Sequence, residues 1–578
     1  MASRAIGEAR QSQLVTTYGV GSLFPAEDQS FVVMGIEYWP STSPRLDEPR
    51  LARALGVTHF RTPAAGLRGG DVPVMRFPLA HYCPKCHVLG PLNRLQDQQT
   101  MWCKQCQGAR LVPSRFVACC DAGHIEDFPY YQWVHRGEEA ESQSADEHRL
   151  SLRMLGRSSS LSDIVIGCSC GVQAKTLNGA FGRNALPPVR RCSGRRPWLE
   201  TDASDCDRPL RALQRGSSNV WFAAMRSTIS IPPWSTAAAS FVDRHWMVLE
   251  HLPEDALSAT LSRMVENSPG VTVDAVRAII AQRRGLAARS ALTEAELRHD
   301  EYNALCAGTG PGASLDTFIC EAQEVDASVA DEVVQVSAVH RLREVRALAG
   351  FSRVTPAVPR VDDSGEDVGA AGLSPLSEAP LPWLPAVEVH GEGVFVRLRE
   401  DRLAEWERTA AARGRADAIT MAQARRDRAA GRPAAPPVAP RTVVLHTLAH
   451  MLVNELSLHA GYPASALRER LYAAPGQAGI LVYTASSDSA GSLGGLAALA
   501  KERVFAPIFR TAIEHGRWCS SDPVCAESRG SGTDNLNLAA CHACVLLPET
   551  SCEHRNVLLD RVAVVGSQEV PDAALFPA

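Results

Sequence analysis

The chain has 578 residues, 17 of them cysteine, and a formal charge of −5 at pH 7. With 45% hydrophobic and 21% charged residues it reads as globular, since disordered chains carry fewer apolar groups and more net charge, and its length suggests roughly three to five domains. No apolar run approaches the ~18 residues of a membrane span, and the start MASRAIGEARQSQL lacks an apolar signal core, so a cytosolic protein is expected rather than a membrane or secreted one.

In chain order, residues 1–80 hold short apolar runs broken by Gly and Pro, such as FVVMGIEYW (31–39), which predict strands and turns. A zinc ribbon is expected over 81–118 and a second cysteine-rich lobe over 119–240. Residues 241–357 read as helical: DAVRAIIAQRRGLAARSALTEAELRHDEYNAL (274–305) spaces its apolar residues by three and four, with Thr293 and Glu296 in a capping-box pattern. The span 358–440 reads as a connecting region. It begins with an acidic, Gly- and Pro-containing stretch (358–382) expected to be a mobile loop, and continues through an alternating strand, GVFVRLRE (393–400). A charged helix (401–430) and the Pro-rich linker GRPAAPPVAP (431–440) complete it. Residues 441–578 alternate helix (442–458), strand (478–485), Gly-rich turn and helix (493–514) before a last cysteine cluster. The expected fold is therefore a multidomain α/β (α+β) protein with two N-terminal zinc-ribbon-like lobes, a helical middle and a C-terminal α/β domain carrying a third zinc site.

Cytosolic thiols stay reduced, so clustered cysteines point to metal rather than disulfides. Cys83-x2-Cys86 and Cys103-x2-Cys106, with 16 residues between the pairs, can offer four thiolates from two tight turns to a tetrahedral zinc ion. His81 and Trp102 are expected to pack against this ribbon. Cys168, Cys170, Cys192 and Cys206 form a looser second set, with intervals of 21 and 13 residues after the first pair. Cys119, Cys120 and His124 lie between the two sets and are read as buried, a cysteine–histidine ligand pair being the alternative. The third set is Cys519, Cys525, Cys541 and Cys544, with Cys552 as an alternative ligand. About three structural zinc ions per chain are thus expected, in closed sites. Each four-thiolate site adds about two negative charges, so three take the chain to about −11. Such a chain touches nucleic acid only through local basic patches.

Enzyme signals are sparse. No G-x-x-x-x-G-K-[ST] occurs, and Gly491, Gly494 and Gly495 lack the lysine and hydroxyl that nucleotide hydrolysis needs, so they read as turn glycines. His446 and His450 stand one helical turn apart, but Thr447 occupies the place of a metalloprotease's general base, and they are read as core histidines. Glu455 would reach them only if the helix bent. His124, Glu126 and Asp127 form a second conceivable hydrolase cluster that reads equally as a turn. The basic segment 183–196 carries Arg183, Arg190, Arg191, Arg195 and Arg196, with Trp198 just beyond. Arginines held on a zinc lobe beside an aromatic can grip phosphate and stack a base, and a solvated arginine face is the alternative. A second run, Arg425, Arg426, Arg428 and Arg432, sits at a helix end and reads as structural.

RQSQLVTTYGVGSLF (10–24), RFVACCDAGHIEDFPYYQWVH (115–135), HTLAHMLVNELSLHAGY (446–462), GILVYTASSDSAGSLGGL (479–496) and CHACVLLPETSCEHRNVLLDR (541–561) resemble the DrmB family, the zinc-containing subunit of the bacterial antiphage system DISARM. The C-terminal region is also similar to the cysteine-bearing domain that ends mitomycin-repair-type helicases. The resemblance implies a DrmA-like helicase partner and engagement of DNA by the pair. Together with the missing motor motif, it leads to an expected non-catalytic, zinc-stabilised helicase partner. A metal-dependent hydrolase built on His446 and His450, or a protein-only scaffold, are the alternatives.

Overall fold

The computed structural model describes residues 5–66, 70–97, 100–137, 148–156, 160–202, 205–288, 291–310, 316–356, 372–429, 433–485 and 495–577. The acidic stretch 358–371, Gly491, Gly494 and Arg432 therefore lie outside the described residues. Helix and sheet are mixed throughout.

Two long strands, Val333–Ser352 and Trp383–Leu398, form the axis of the molecule and pair antiparallel over most of their length. Phe222–Ile229 and Ile319–Gln323 share the outer edge of the first strand, and Gly479–Thr484 then Leu467–Tyr472 continue the sheet beyond the second. His59–Arg61 joins parallel to the start of Trp383–Leu398. One hydrogen-bonded sheet thus crosses the boundaries expected at 357 and 440. The helical reading of 241–357 holds only to Ala307, and 319–352 is mostly strand. Val333–Ser352 is covered along most of both faces, so its sequence loses the period-two alternation that marks a half-exposed strand. Gly391 is required where this sheet is tightest, because a Cβ there would stand 1.8 Å from the Thr484 carbonyl oxygen.

The helix Pro440–Ala460 is apolar nearly all round and lies inside the largest core, against the sheet and the helix Glu502–Gly516. A helix without a polar face has to be enclosed. Proline opens its first turn and Gly461, at φ +72°, ends it. Upstream, Ala237–Leu249, Glu254–Val265 and Val273–Ala288 bury a small core of their own around Phe241, Trp246, Leu257 and Ile280. The helix Glu294–Ala307 begins with the expected capping box of Thr293 and Glu296.

At the N-terminal end, six short strands form a second sheet in the order Lys175–Thr176, Ile164–Cys168, Leu150–Met154, Val88–Pro91, Ala80–Tyr82 and Val112–Pro113. Leu150 pairs with Leu89, so the first ribbon and the second cysteine-rich lobe share a sheet. Among the described residues no helix is long and apolar enough to cross a membrane.

Candidate metal centres

All 17 thiols are free, and most fall into groups whose spacing is that of metal ligands. Two thiolates ~2.3 Å from a tetrahedral zinc ion stand about 3.8 Å apart, against ~2.05 Å in a disulfide. In the first ribbon Cys83 and Cys106 sulfurs are 3.5 Å apart, and Cys86 and Cys103 3.7 Å. The two turns are alike: the N–H of His87 donates to the Cys83 carbonyl and that of Gln107 to the Cys103 carbonyl. Both residues take left-handed backbone, φ +64° and +49°, which folds each Cys-x2-Cys loop back so that its two sulfurs face one point. The Gly108 amide holds the Cys106 thiol down at about 7, the kind of donor that favours thiolate. His81 is buried beside Gln29 and takes no part, whereas Trp102 is 49% exposed rather than packed.

The second expected set does not come together. Its four cysteines divide between two groups, each completed by residues nearby in the chain. Cys192 and Cys206 join Cys120 and His124; His124 Nδ1 lies 3.4 Å from the Cys120 sulfur and 3.6 Å from that of Cys192. Cys119 and Cys120, read as a buried pair, differ because successive side chains leave a strand on opposite sides. Cys119 enters the core around Val117 and Phe351, with burial pushing its thiol up to about 12. Cys120 turns the other way, toward His124.

Cys168 and Cys170 join His135 and His148, two residues whose spacing carried no signal in the sequence. Sheet register assembles them: Leu150 faces Cys168 across an antiparallel pair, which sets His148 beside the Cys168–Cys170 turn. His148 Nδ1 is 3.1 Å from the Cys168 sulfur, and His135 Nε2 is 3.3 Å from that of Cys170. His135 Nδ1 donates to the Tyr131 carbonyl at 2.7 Å, which leaves Nε2 as the lone-pair nitrogen, the tautomer that a metal ligand needs. The Val172 amide, then His135, hold the Cys170 thiol at about 6.

Cys519, Cys525, Cys541 and Cys544 do converge, with sulfur separations of 3.5, 3.8 and 3.6 Å for the pairs 519–541, 525–544 and 541–544. Asp522 braces this loop: it accepts the Cys519 amide at 2.9 Å and the buried Arg561 guanidinium at 2.6 Å. Cys552 lies elsewhere, with His446, His450 and Glu469. His446 and His450 are thus buried, as read, but not as isolated core histidines; burial pushes the His446 imidazole down to about 4. Glu455 pairs instead with His515 at 2.6 Å.

The remaining candidates have the following partners. Glu126 accepts the Ser193 amide and hydroxyl, both at 3.1 Å, and pairs with Arg190 at 3.0 Å. Asp127 accepts the Ala80 amide at 2.8 Å, and burial raises its carboxyl to about 6. Of the five arginines, Arg190 is held by Glu126 and Arg183 by the Ala429 carbonyl. Arg191 and Arg195 are exposed and Arg196 half-buried. Trp198 is fully buried and donates to the Pro375 carbonyl, which rules out base stacking on it. In the second run, Arg426 pairs with Asp427.

Cysteine and histidine donors gathered at tetrahedral spacing define a zinc-binding protein. Residues 448–545 match the family model described as the MrfA Zn-binding domain, and residues 10–222 match a domain of unknown function, DUF8724. The C-terminal match agrees with the similarity to mitomycin-repair-type helicases. Over 560 residues, 93% of this chain and 97% of the relative, the sequence is 30% identical to the DISARM protein DrmB of Bacillus paralicheniformis. The chain belongs to the DrmB family.

Proposed function

We propose that the chain is a zinc-stabilised, non-catalytic accessory subunit of a DISARM defence complex, binding an SF2-type, DrmA-like helicase in the cytosol and helping it engage DNA. The near full-length relation to a DISARM protein carries this reading. We assign zinc to Cys83/Cys86/Cys103/Cys106, Cys120/His124/Cys192/Cys206, His135/His148/Cys168/Cys170 and Cys519/Cys525/Cys541/Cys544. In each group four protein donors leave no position for a reacting water, the mark of a structural site. Their role is to hold small lobes whose cores are too thin to fold alone. Co-purification with a DrmA-like helicase tests the partnership. A helicase that never associates with the folded chain would remove it.

Because no phosphate-binding lysine motif is present, the purified chain should hydrolyse ATP only at background, with or without DNA. Robust turnover by a preparation free of helicase would overturn the accessory reading.

DNA contact is assigned to Arg191, Arg195 and Arg196, beside Cys192. Each phosphate-contacting arginine changed to Ala should weaken binding to all sequences alike and lower the salt slope by about 0.7–0.9. Arg190→Ala should instead loosen the lobe, because this side chain pairs with the buried Glu126. The measurement is DNA titration of the complex at several salt concentrations. Failure of the complex to assemble before DNA is added would make the patch a helicase interface. Unchanged affinity, slope and assembly would make it solvated surface.

A further inference from the structure

We infer that His446, His450, Glu469 and Cys552 bind a divalent transition-metal ion, zinc by their donor chemistry, in a closed site separate from the four-cysteine group of the same region. The four residues come from three elements. His446 and His450 are one turn apart on Pro440–Ala460, Glu469 is on the strand Leu467–Tyr472, and Cys552 is in the C-terminal tail. Their relative exposures are 0, 0, 1 and 8%. His446 Nε2 lies 3.1 Å from both Glu469 Oε1 and the Cys552 sulfur, and His450 Nε2 lies 3.4 Å from the same carboxylate oxygen.

Hydrogen bonding alone leaves this cluster unsatisfied. His450 Nδ1 donates to the Val545 carbonyl at 2.7 Å, so in the neutral ring Nε2 presents a lone pair, and it presents it to a carboxylate oxygen. A proton on His446 Nε2 satisfies one contact and leaves that opposition in place. His450 Nε2 and Glu469 Oε2 are both buried with no hydrogen-bond partner, a costly arrangement in a dry core. One dication among the four donors meets both Nε2 atoms, the carboxylate and the thiolate together. Two imidazoles, a carboxylate and a thiolate at this spacing suit tetrahedral zinc.

Surrounding groups are those of a ligand shell. The Glu553 amide donates to Glu469 Oε1 at 3.1 Å and the Asn556 amide to the Cys552 sulfur at 3.2 Å, which stabilises both anions and fixes their direction. All four positions are taken by protein, and Thr447, in the place of a general base, is occupied with the Val443 carbonyl and the Asp560 amide. The ion would therefore act as a structural clasp. It joins the buried helix to the sheet and the tail, and through Val545 it reaches the loop that carries Cys541 and Cys544. The inference stands whether or not the chain binds DNA or a helicase.

The test is zinc-edge anomalous diffraction from crystals of the full chain as purified. A peak within bonding distance of both Nε2 atoms, Glu469 and Cys552 is expected. Peaks at the cysteine-rich groups with none here would overturn the inference. Native mass spectrometry of the full-length Cys552→Ser variant should show one zinc fewer than the parent, and an unchanged count would equally refute it. A variant that misfolds loses zinc at several groups at once, and the parent's anomalous map then decides.

Discussion

Stripping zinc from the full chain with a strong chelator should unfold the 81–118 ribbon first and loosen the rest of the N-terminal lobe with it. Around the four sulfurs the ribbon buries only Leu92, Leu95 and Leu111 beside Cys83 and Cys103, too little apolar surface to order its two cysteine loops. Its other buried hydrophobic residues, Leu89, Phe116, Val117 and Ala118, pack into the neighbouring cores. Structural zinc contributes apparent binding energies of about 10–16 kcal/mol in small finger peptides, and there that energy is folding energy. Loss should spread because Val88–Pro91 of the ribbon pairs with Leu150–Met154, the strand whose register sets His148 beside Cys168. Metal analysis of the undenatured protein should return four zinc ions for the four cysteine-rich groups, and five with the His446 group, rather than the three that spacing suggests. Hydrogen exchange with and without chelator reads the order of loss. A zinc content near zero, or protection of 81–118 that survives chelation, would refute this account. Acid should release the metal as well, since thiolates and imidazoles take up protons as pH falls.

Glu301→Ala should destabilise the chain by about 3–5 kcal/mol, the usual consequence of leaving a buried charge without its partner. Glu301 accepts both Nε and Nη2 of the fully buried Arg470 at 2.7 Å, the Thr228 hydroxyl at 2.7 Å and the Ile229 amide at 2.9 Å. Burial alone would raise its carboxyl, but Arg470, Arg298 and Arg50 hold it down at about 2. Because the folded value lies below the ordinary 4.5, the pair's contribution is complete above that pH and is lost only as pH falls toward 2. Arg470 also faces Glu344 and Glu553, at 3.7 and 3.8 Å, so the network joins the helix Glu294–Ala307, the strands Phe222–Ile229, Val333–Ser352 and Leu467–Tyr472, and the tail. Chemical denaturation of the zinc-loaded chain measures the cost. The double change Glu301→Leu with Arg470→Met should cost clearly less than Glu301→Ala, because it removes both charges. Equal losses would show that packing, not charge, is at stake.

How much of this was legible in the sequence depended on the distance between cooperating residues. The ribbon Cys83/Cys86/Cys103/Cys106 and the set Cys519/Cys525/Cys541/Cys544 were readable because a Cys-x2-Cys turn brings its own sulfurs together by local geometry. The capping box at Thr293 and the strand at 393–400 were readable for the same reason, since backbone preference over a few residues decides them. The partition of Cys168, Cys170, Cys192 and Cys206 was not. It follows from a strand register that sets His148 against Cys168 and from the side of the strand to which Cys120 turns, and register is a property of paired strands. The strand Val333–Ser352 escaped because enclosure on both faces removes the alternation that announces a strand. His446 and His450 were visible as a helical pair, but Glu469 and Cys552 stand beside them only because the buried helix lies across the sheet under the C-terminal tail. The sequence by itself determined the residue types, the tight local turns and the family. Only tertiary packing decided which distant donors share an ion, because a coordination group spread over three elements exists only after those elements are in contact.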